Sequence, residues 1–298
     1  MSQGPVVLPV VLPVVLVVGS LHHDIMVEAE HLPRVDETAV GQRWYPKFGG
    51  KGGNQAVAAR SAGAGARIYG AVGEDGFGRF LLEALDRGGV DRRFVAVLRD
   101  VGSGMSVAVQ DRAGDYAATI VSGANLSLDP AGIEDRALWE DVRALVLQNE
   151  IREEMNLAAA RAARARGVTV VLNAAPARAI PPALEAVVDV LVVNAVEAEM
   201  FGAGAVRDLE TALDAARHLA ARFGSVVVTA GGAGLAGVTS GAGAFVVPAR
   251  KVRVASTHGA GDCLTGTLAA ALAGGKTLEQ ACRIASEAAA RHVEGRAG

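Results

Sequence analysis

Short runs of Val, Leu and Ile alternate along this chain with stretches rich in Ala, Arg and Glu. The segments Val14–Val18, 144–147, 168–172, 190–193 and Ser225–Thr229 are apolar almost throughout. Strands of that kind are covered on both faces, so the pattern predicts a largely parallel sheet between two layers of helices, an α/β architecture. Helices are expected over 153–166, 209–221, 261–273 and Leu278–Val293, with no repeat or linker dividing them.

Two segments depart from this rhythm. Residues 24–48 carry few helix formers, two prolines and the aromatics Trp44, Tyr45 and Phe48. In 104–120, Met105, Val107 and Val109 alternate with Ser106, Ala108 and Gln110 before a turn through Asp111 to Gly114, the signature of a half-buried antiparallel hairpin. Together they predict a small sheet inserted in one domain spanning 14–298, projecting from it and covering its sheet edge as a lid that excludes water. Residues 1–13 read as an irregular extension. The apolar stretch 6–18 is too short to span a bilayer, contains Pro9 and Pro13, and lacks the basic start of a signal peptide.

Composition narrows the class. Apolar residues make up 51% and aromatics only 4%, so small side chains must allow helices and sheet to approach closely. A net charge of −3 gives no basic face for nucleic acid. Two cysteines, Cys263 and Cys282, provide no disulfide framework and fit a reducing, cytoplasmic setting.

Chemistry concentrates at loops that follow strands or open helices. Gly259-Ala260-Gly261-Asp262 precedes a helical run, so crowded N–H groups meet a positive helix end beside one carboxylate. That pairing of anion cradle and base suits phosphoryl transfer to a hydroxyl, although Asp262 can equally serve as a helix cap. Gly49 to Ala58 is a glycine-rich turn entering a helix, with Lys51 and Asn54 placed for a small ligand's hydroxyls or for solvent; it lacks the spacing of a phosphate P-loop. His22, His23 and Asp24 follow the first strand, where open α/β sheets bind ligands, and no partners at ligand spacing support zinc. Asn194 and Glu197 can orient waters about Mg²⁺ or cap a helix. Thr229 to Gly234 can meet phosphates or form a plain turn.

Taken in order, these residues resemble the ribokinase-like (PfkB) carbohydrate kinases. The stretch Gly49 to Gln55 looks like the N-terminal signature, in the form of the ribokinase branch, and Ser256 to Asp262 looks like the C-terminal one. Between them lie 71–78, 173–176 and the Asn194/Glu197 pair, so the resemblance covers about 16–297. It implies a three-layer α/β/α sandwich with a small antiparallel β lid and a homodimer formed through the lid sheets. It further implies Asp262 as base, an anion hole from Gly259, Ala260 and Gly261, and acceptor contacts from Asp24, Gly50, Lys51, Asn54 and Glu150. Asn194 and Glu197 would serve Mg²⁺ through water, while Asn194, Thr229, Gly231 and Ser286 would meet ATP.

Three departures qualify the resemblance. His22 stands where an Asn is usual, which alters a hydroxyl contact. Ser256 replaces an Asp that helps hold a monovalent cation, and the chain stops at Gly298 before the tail that commonly completes that site, so K⁺ activation is not expected. Ser286 stands where an Asn often borders adenine. The leading expectation is an ATP-dependent kinase acting on the primary hydroxyl of ribose or a related sugar, with no nucleic-acid or membrane partner. The alternatives are a nucleoside kinase of the same fold, of pseudouridine or adenosine type with His22 against a base, and a catalytically silent sugar-binding regulator. A dinucleotide-binding dehydrogenase is set aside because no GxGxxG follows the first strand.

Overall fold

The computed structural model describes residues 12–295, so residues 1–11 of the expected N-terminal extension lie outside it. In chain order, β1 (Val14–Val18), β2 (His22–Ala29) and β3 (Gly41–Gly49) lead into α1 (Lys51–Ser61). Then come β4 (Gly65–Gly73), α2 (Gly76–Arg87), β5 (Asp91–Leu98), β6 (Met105–Gln110) and β7 (Tyr116–Val121). The middle of the chain forms β8 (Val142–Gln148), α3 (Glu153–Ala165), β9 (Thr169–Asn173), α4 (Pro182–Glu185), β10 (Val190–Asn194) and α5 (Ala195–Met200). It closes with α6 (Leu209–Leu219), β11 (Ser225–Thr229), β12 (Gly234–Thr239), β13 (Gly243–Pro248), α7 (Ala260–Ala273) and α8 (Leu278–Val293).

Nine strands form the large sheet in the order β13-β12-β11-β10-β9-β8-β1-β4-β5. From β11 to β5 all pairings are parallel, and β12 and β13 add an antiparallel edge. Strand alternation divides the core. Leu16, Val18, Leu145 and Leu147 face a layer containing α3 and α6, while Val15, Val17, Ala144 and Val146 face α1, α2, α7 and α8. The result is a three-layer α/β/α sandwich. No helix among the described residues is long and apolar enough to cross a membrane.

The second sheet has the order β3-β2-β6-β7; its two hairpins are antiparallel and its central pair, β2 with β6, runs parallel. It begins at His22, with only three residues between it and the end of β1, and returns through Gly49 into α1. Its attachment is therefore at the carboxyl ends of the parallel strands. The N–H of Leu21 donates to Asn125 Oδ1, and Asn125 Nδ2 donates back to Leu21 O, both at 2.9 Å, so one side chain stands in for a strand partner at this junction.

Small residues set the approach of α1 to α7. A Cβ on Gly266 would lie 2.2 Å from the carbonyl oxygen of Gln55 and 2.7 Å from Ala58 Cβ. Gly266→Ala is therefore expected to cost about 1–3 kcal/mol through overpacking and to lower the melting temperature by several degrees. An unchanged thermal unfolding curve would show that these helices can part freely.

Candidate active site

Asp262 lies in the first turn of α7, buried, behind Gly259 in the left-handed conformation (φ 78°). That φ is one that residues with a Cβ rarely adopt, so glycine lets the chain turn into the helix here. The carboxylate accepts from Asn54 Nδ2 (3.2 Å) on one oxygen and from Gln55 Nε2 (2.9 Å) on the other. Gln55 Nε2 also donates to Asn173 Oδ1 at 3.1 Å, tying α1, α7 and the end of β9 into one buried polar group. Burial pushes the Asp262 carboxyl up to about 6; the charge of Lys51 and the two amides pull it down, and Glu150 adds to the rise.

A cavity of about 200 Å³ opens in front of Asp262. Lys51, Asn173, Asn194, Glu197, Thr229 and Gly261 share its wall, so loops following β9, β10 and β11 meet the starts of α1 and α7. Asn194 and Glu197 form a capping box: Glu197 N–H donates to Asn194 Oδ1 (2.8 Å) and Asn194 N–H to Glu197 Oε2 (2.9 Å). The cap leaves Glu197 Oε1 outside the box; burial pushes its carboxyl up, against Asn194 N–H and Lys51.

A second polar group surrounds Glu150, whose Oε2 accepts from Ser20 Oγ and from Lys51 N–H (2.9 Å), with His22 Nδ1 at 3.8 Å. Asp24 is buried on β2 and accepts from Ser106 Oγ at 2.5 Å. Lys47 lies opposite Asp24 in the β2/β3 register; burial pushes its ammonium down and Asp24 counters this.

Comparison with known proteins gives the family. The family model for the pfkB family carbohydrate kinase matches residues 13–297. The chain belongs to the pfkB family of carbohydrate kinases. Ribokinase of Mus musculus is 35% identical over 262 residues, covering 87% of this chain and 81% of that protein. Ribokinase of Bacillus subtilis (strain 168) is 31% identical over 278 residues, covering 93% and 92%. The structure of Arabidopsis thaliana ribokinase complexed with ribose and ATP superposes with a TM-score of 0.87 at 29% identity, covering 95% of this chain and 93% of that one. This pfkB family member is an ATP-dependent sugar kinase.

Within the kinase, Lys51, Asn194, Glu197, Thr229, Gly259, Gly261 and Asp262 line one cavity, and Asn54 reaches it through Asp262. His22 and Glu150 gather behind Lys51, next to Gly50 at the entrance to α1. Ala260 differs from its expected role: its N–H donates to Thr257 O (3.2 Å), whereas those of Gly261 and Asp262 have no protein acceptor among the described residues. Gly231 lies exposed in the turn after β11 and Ser286 half-buried on α8; neither lines the cavity. His23 stacks on Phe77 (centroids 4.2 Å apart) and meets Phe80 edge-on, a packing role. Ser20 and Ser106 act through other side chains, Glu150 and Asp24, and carry no motif of their own, while Asn173 both lines the cavity and holds Gln55. Gln55 likewise acts through another side chain, although its place one residue after Asn54 puts it on the helix's first turns.

The proton affinity of Asp262 has a signed consequence. A base must be ionised, so turnover is expected to fall as pH drops through about 6, well above the ordinary aspartate value of 3.8. The folded chain also holds this proton more tightly than the unfolded chain, so Asp262 makes stability decline as pH rises across the same interval. Gln55→Leu removes a donor that favours the charged form and should move the acid limb upward. A limb that stays near pH 4 in the parent, read from kcat/KM against pH, would contradict the assignment.

Proposed function

We propose that the acceptor is ribose or a closely related pentose and that Asp262 is the base for transfer to its primary hydroxyl. The carrying observation is the buried Asp262 carboxylate, oriented by Asn54 and Gln55 beside the free N–H groups of Gly261 and Asp262. The naming of the relatives as ribokinases supports the sugar class. A nucleoside acceptor is not favoured, since the Lys51-x-x-Asn54-Gln55 form of the glycine turn suits a free sugar, and a silent regulator is not favoured, since Asp262 and its loop are intact.

In this reading Asp262 takes the hydroxyl proton as the sugar oxygen bonds to the γ-phosphorus of ATP and the bond to the bridging oxygen breaks, releasing ADP. The N–H groups at the start of α7 hold the charge on the transferring oxygens, helped by the Lys51 ammonium. Asp24, Gly50, Lys51, Asn54, Glu150 and His22 orient the sugar, with Thr229, Gly231 and Ser286 on the nucleotide side. Glu197 and Asn194 would hold Mg²⁺ through water: Glu197 stands on the cavity wall with Oε1 outside its capping box, and few protein oxygens suit an ion that keeps most of its waters. Bound there, the ion would neutralise nucleotide phosphate charge. The small sheet acts as a lid, and its exposed Trp44, Ile120 and Val121 support a homodimer across it. Two free cysteines, Cys263 and Cys282, fit a cytoplasmic enzyme.

Release of ADP over ribose, 2-deoxyribose, fructose, ribulose and nucleosides tests the acceptor, with ribose expected to lead. In the same assay Asp262→Asn should lower turnover by roughly 10²–10⁴ with ATP binding kept. Near-parental turnover would sink the role of Asp262. Ser256 supplies no carboxylate and its hydroxyl already accepts from His258 N–H (3.2 Å). Exchanging Na⁺ for K⁺ at matched ionic strength should therefore change the rate by less than about twofold, since screening is then equal.

Dimerisation is read by light scattering after size-exclusion chromatography. Trp44→Arg should shift the parent from dimer toward monomer, and a monomeric parent would exclude the interface.

A further inference from the structure

Glu150 sits in the turn between β8 and α3, and this turn is held from outside by the segment 173–178. The N–H of Asn149 donates to Ala175 O at 3.0 Å, and Asn149 Nδ2 donates to Pro176 O at 2.9 Å. In the opposite direction Arg178 Nη1 donates to the carbonyls of Asn149 (3.4 Å) and Ile151 (2.9 Å), the two residues that flank Glu150. One planar guanidinium thus brackets the acceptor carboxylate through its chain neighbours.

Arg178 makes no ion pair among the described residues that would otherwise account for its position. Its Nη2 is buried without a partner among the described residues; burial pushes the guanidinium's pKa down, and Glu153 and Glu154 at the start of α3 counter this from a distance. The same segment begins with Asn173, which accepts from the Gln55 amide that also holds Asp262. A single stretch of chain therefore touches the Glu150 turn at one end and the Asp262 group at the other.

We propose that Arg178 is a positioning residue for Glu150, and that segment 173–178 sets where the acceptor sugar lies relative to the Asp262 carboxylate. This rests on the reading of Glu150 as an acceptor-binding group. Misplacement of a binding group by a fraction of an ångström weakens orientation of the substrate, whereas the hydrogen bonds of Arg178 go to the Glu150 turn and none to β10, β11 or α7 on the nucleotide side.

Steady-state kinetics of the full chain, varying ribose and ATP separately, provide the test. Arg178→Met should raise the ribose KM by about tenfold, with the ATP KM unchanged and kcat within about twofold. Arg178→Lys should fall between, because an ammonium cannot bracket two carbonyls as the planar fork does. Asn173→Ala, at the other end, should lower kcat and leave the ribose KM in place. A parental ribose KM in Arg178→Met, or equal rises in both KM values that track a lowered melting temperature, would overturn the proposal. Should Arg178→Met not fold, the same criteria apply to Arg178→Lys. Glu150→Gln separates the two layers of the argument. An unchanged ribose KM there removes the reading of Glu150 itself; a raised one beside a parental Arg178→Met removes only the role of Arg178.

Discussion

Helices α1 and α7 meet where Gly266 faces the carbonyl of Gln55 with no side chain between them. This contact brings the first turns of two helices together, one carrying Lys51, Asn54 and Gln55 and the other Asp262. Close approach is what lets two amides reach a buried carboxylate at hydrogen-bond distance. It also explains the composition: Ala56, Ala59, Ala269 and Ala270 line the same layer, and larger residues would hold the helices apart. The poverty in aromatics is thus a condition of the site as much as a property of the core.

Burial has opposite meanings at different polar groups. Arg67 is buried inside β4 yet bonded to Asp91 (2.8 Å) through Nε and to the carbonyls of Ala137, Leu138 and Glu140 through Nη1, so its charge fastens the sheet edge to a loop. Asp262 is buried with neutral amide donors and no direct cation, which leaves its proton affinity high. The first arrangement favours permanence and the second favours exchange of a proton near neutrality.

The parallel strands were legible because two-sided burial writes uninterrupted apolar runs: Val14–Val18 and Ser225–Thr229 coincide with the observed strands, as does the helix Leu278–Val293. The edges were not. β5 opens with Asp91, Arg92 and Arg93, whose charges suit a half-exposed border, and β4 conceals itself behind Arg67 and three glycines. β12 and β13 are glycine-bearing antiparallel strands at the other border, where no helical crossover marks them. At the site, residues within compact motifs could be read directly. Asn173 and Arg178 could not, since their partners lie far away in sequence and are partly backbone carbonyls, which no residue pattern reveals.

Glu150 has a further property in its bond from the Lys51 N–H. Helix α1 begins at Gly50 without a side-chain cap of its own, and the carboxylate that closes its first turn comes from a loop 99 residues away. A residue that serves at once as helix cap and, in the proposed function, as ligand group is constrained by two selections. Drift of this scaffold toward new acceptors would have to proceed at positions relieved of such double duty. His22 and Lys47 are of that kind: they lie on the small sheet, and neither closes a helix. Diversification of specificity is thereby channelled onto the sheet, while the loop behind α1 is held still.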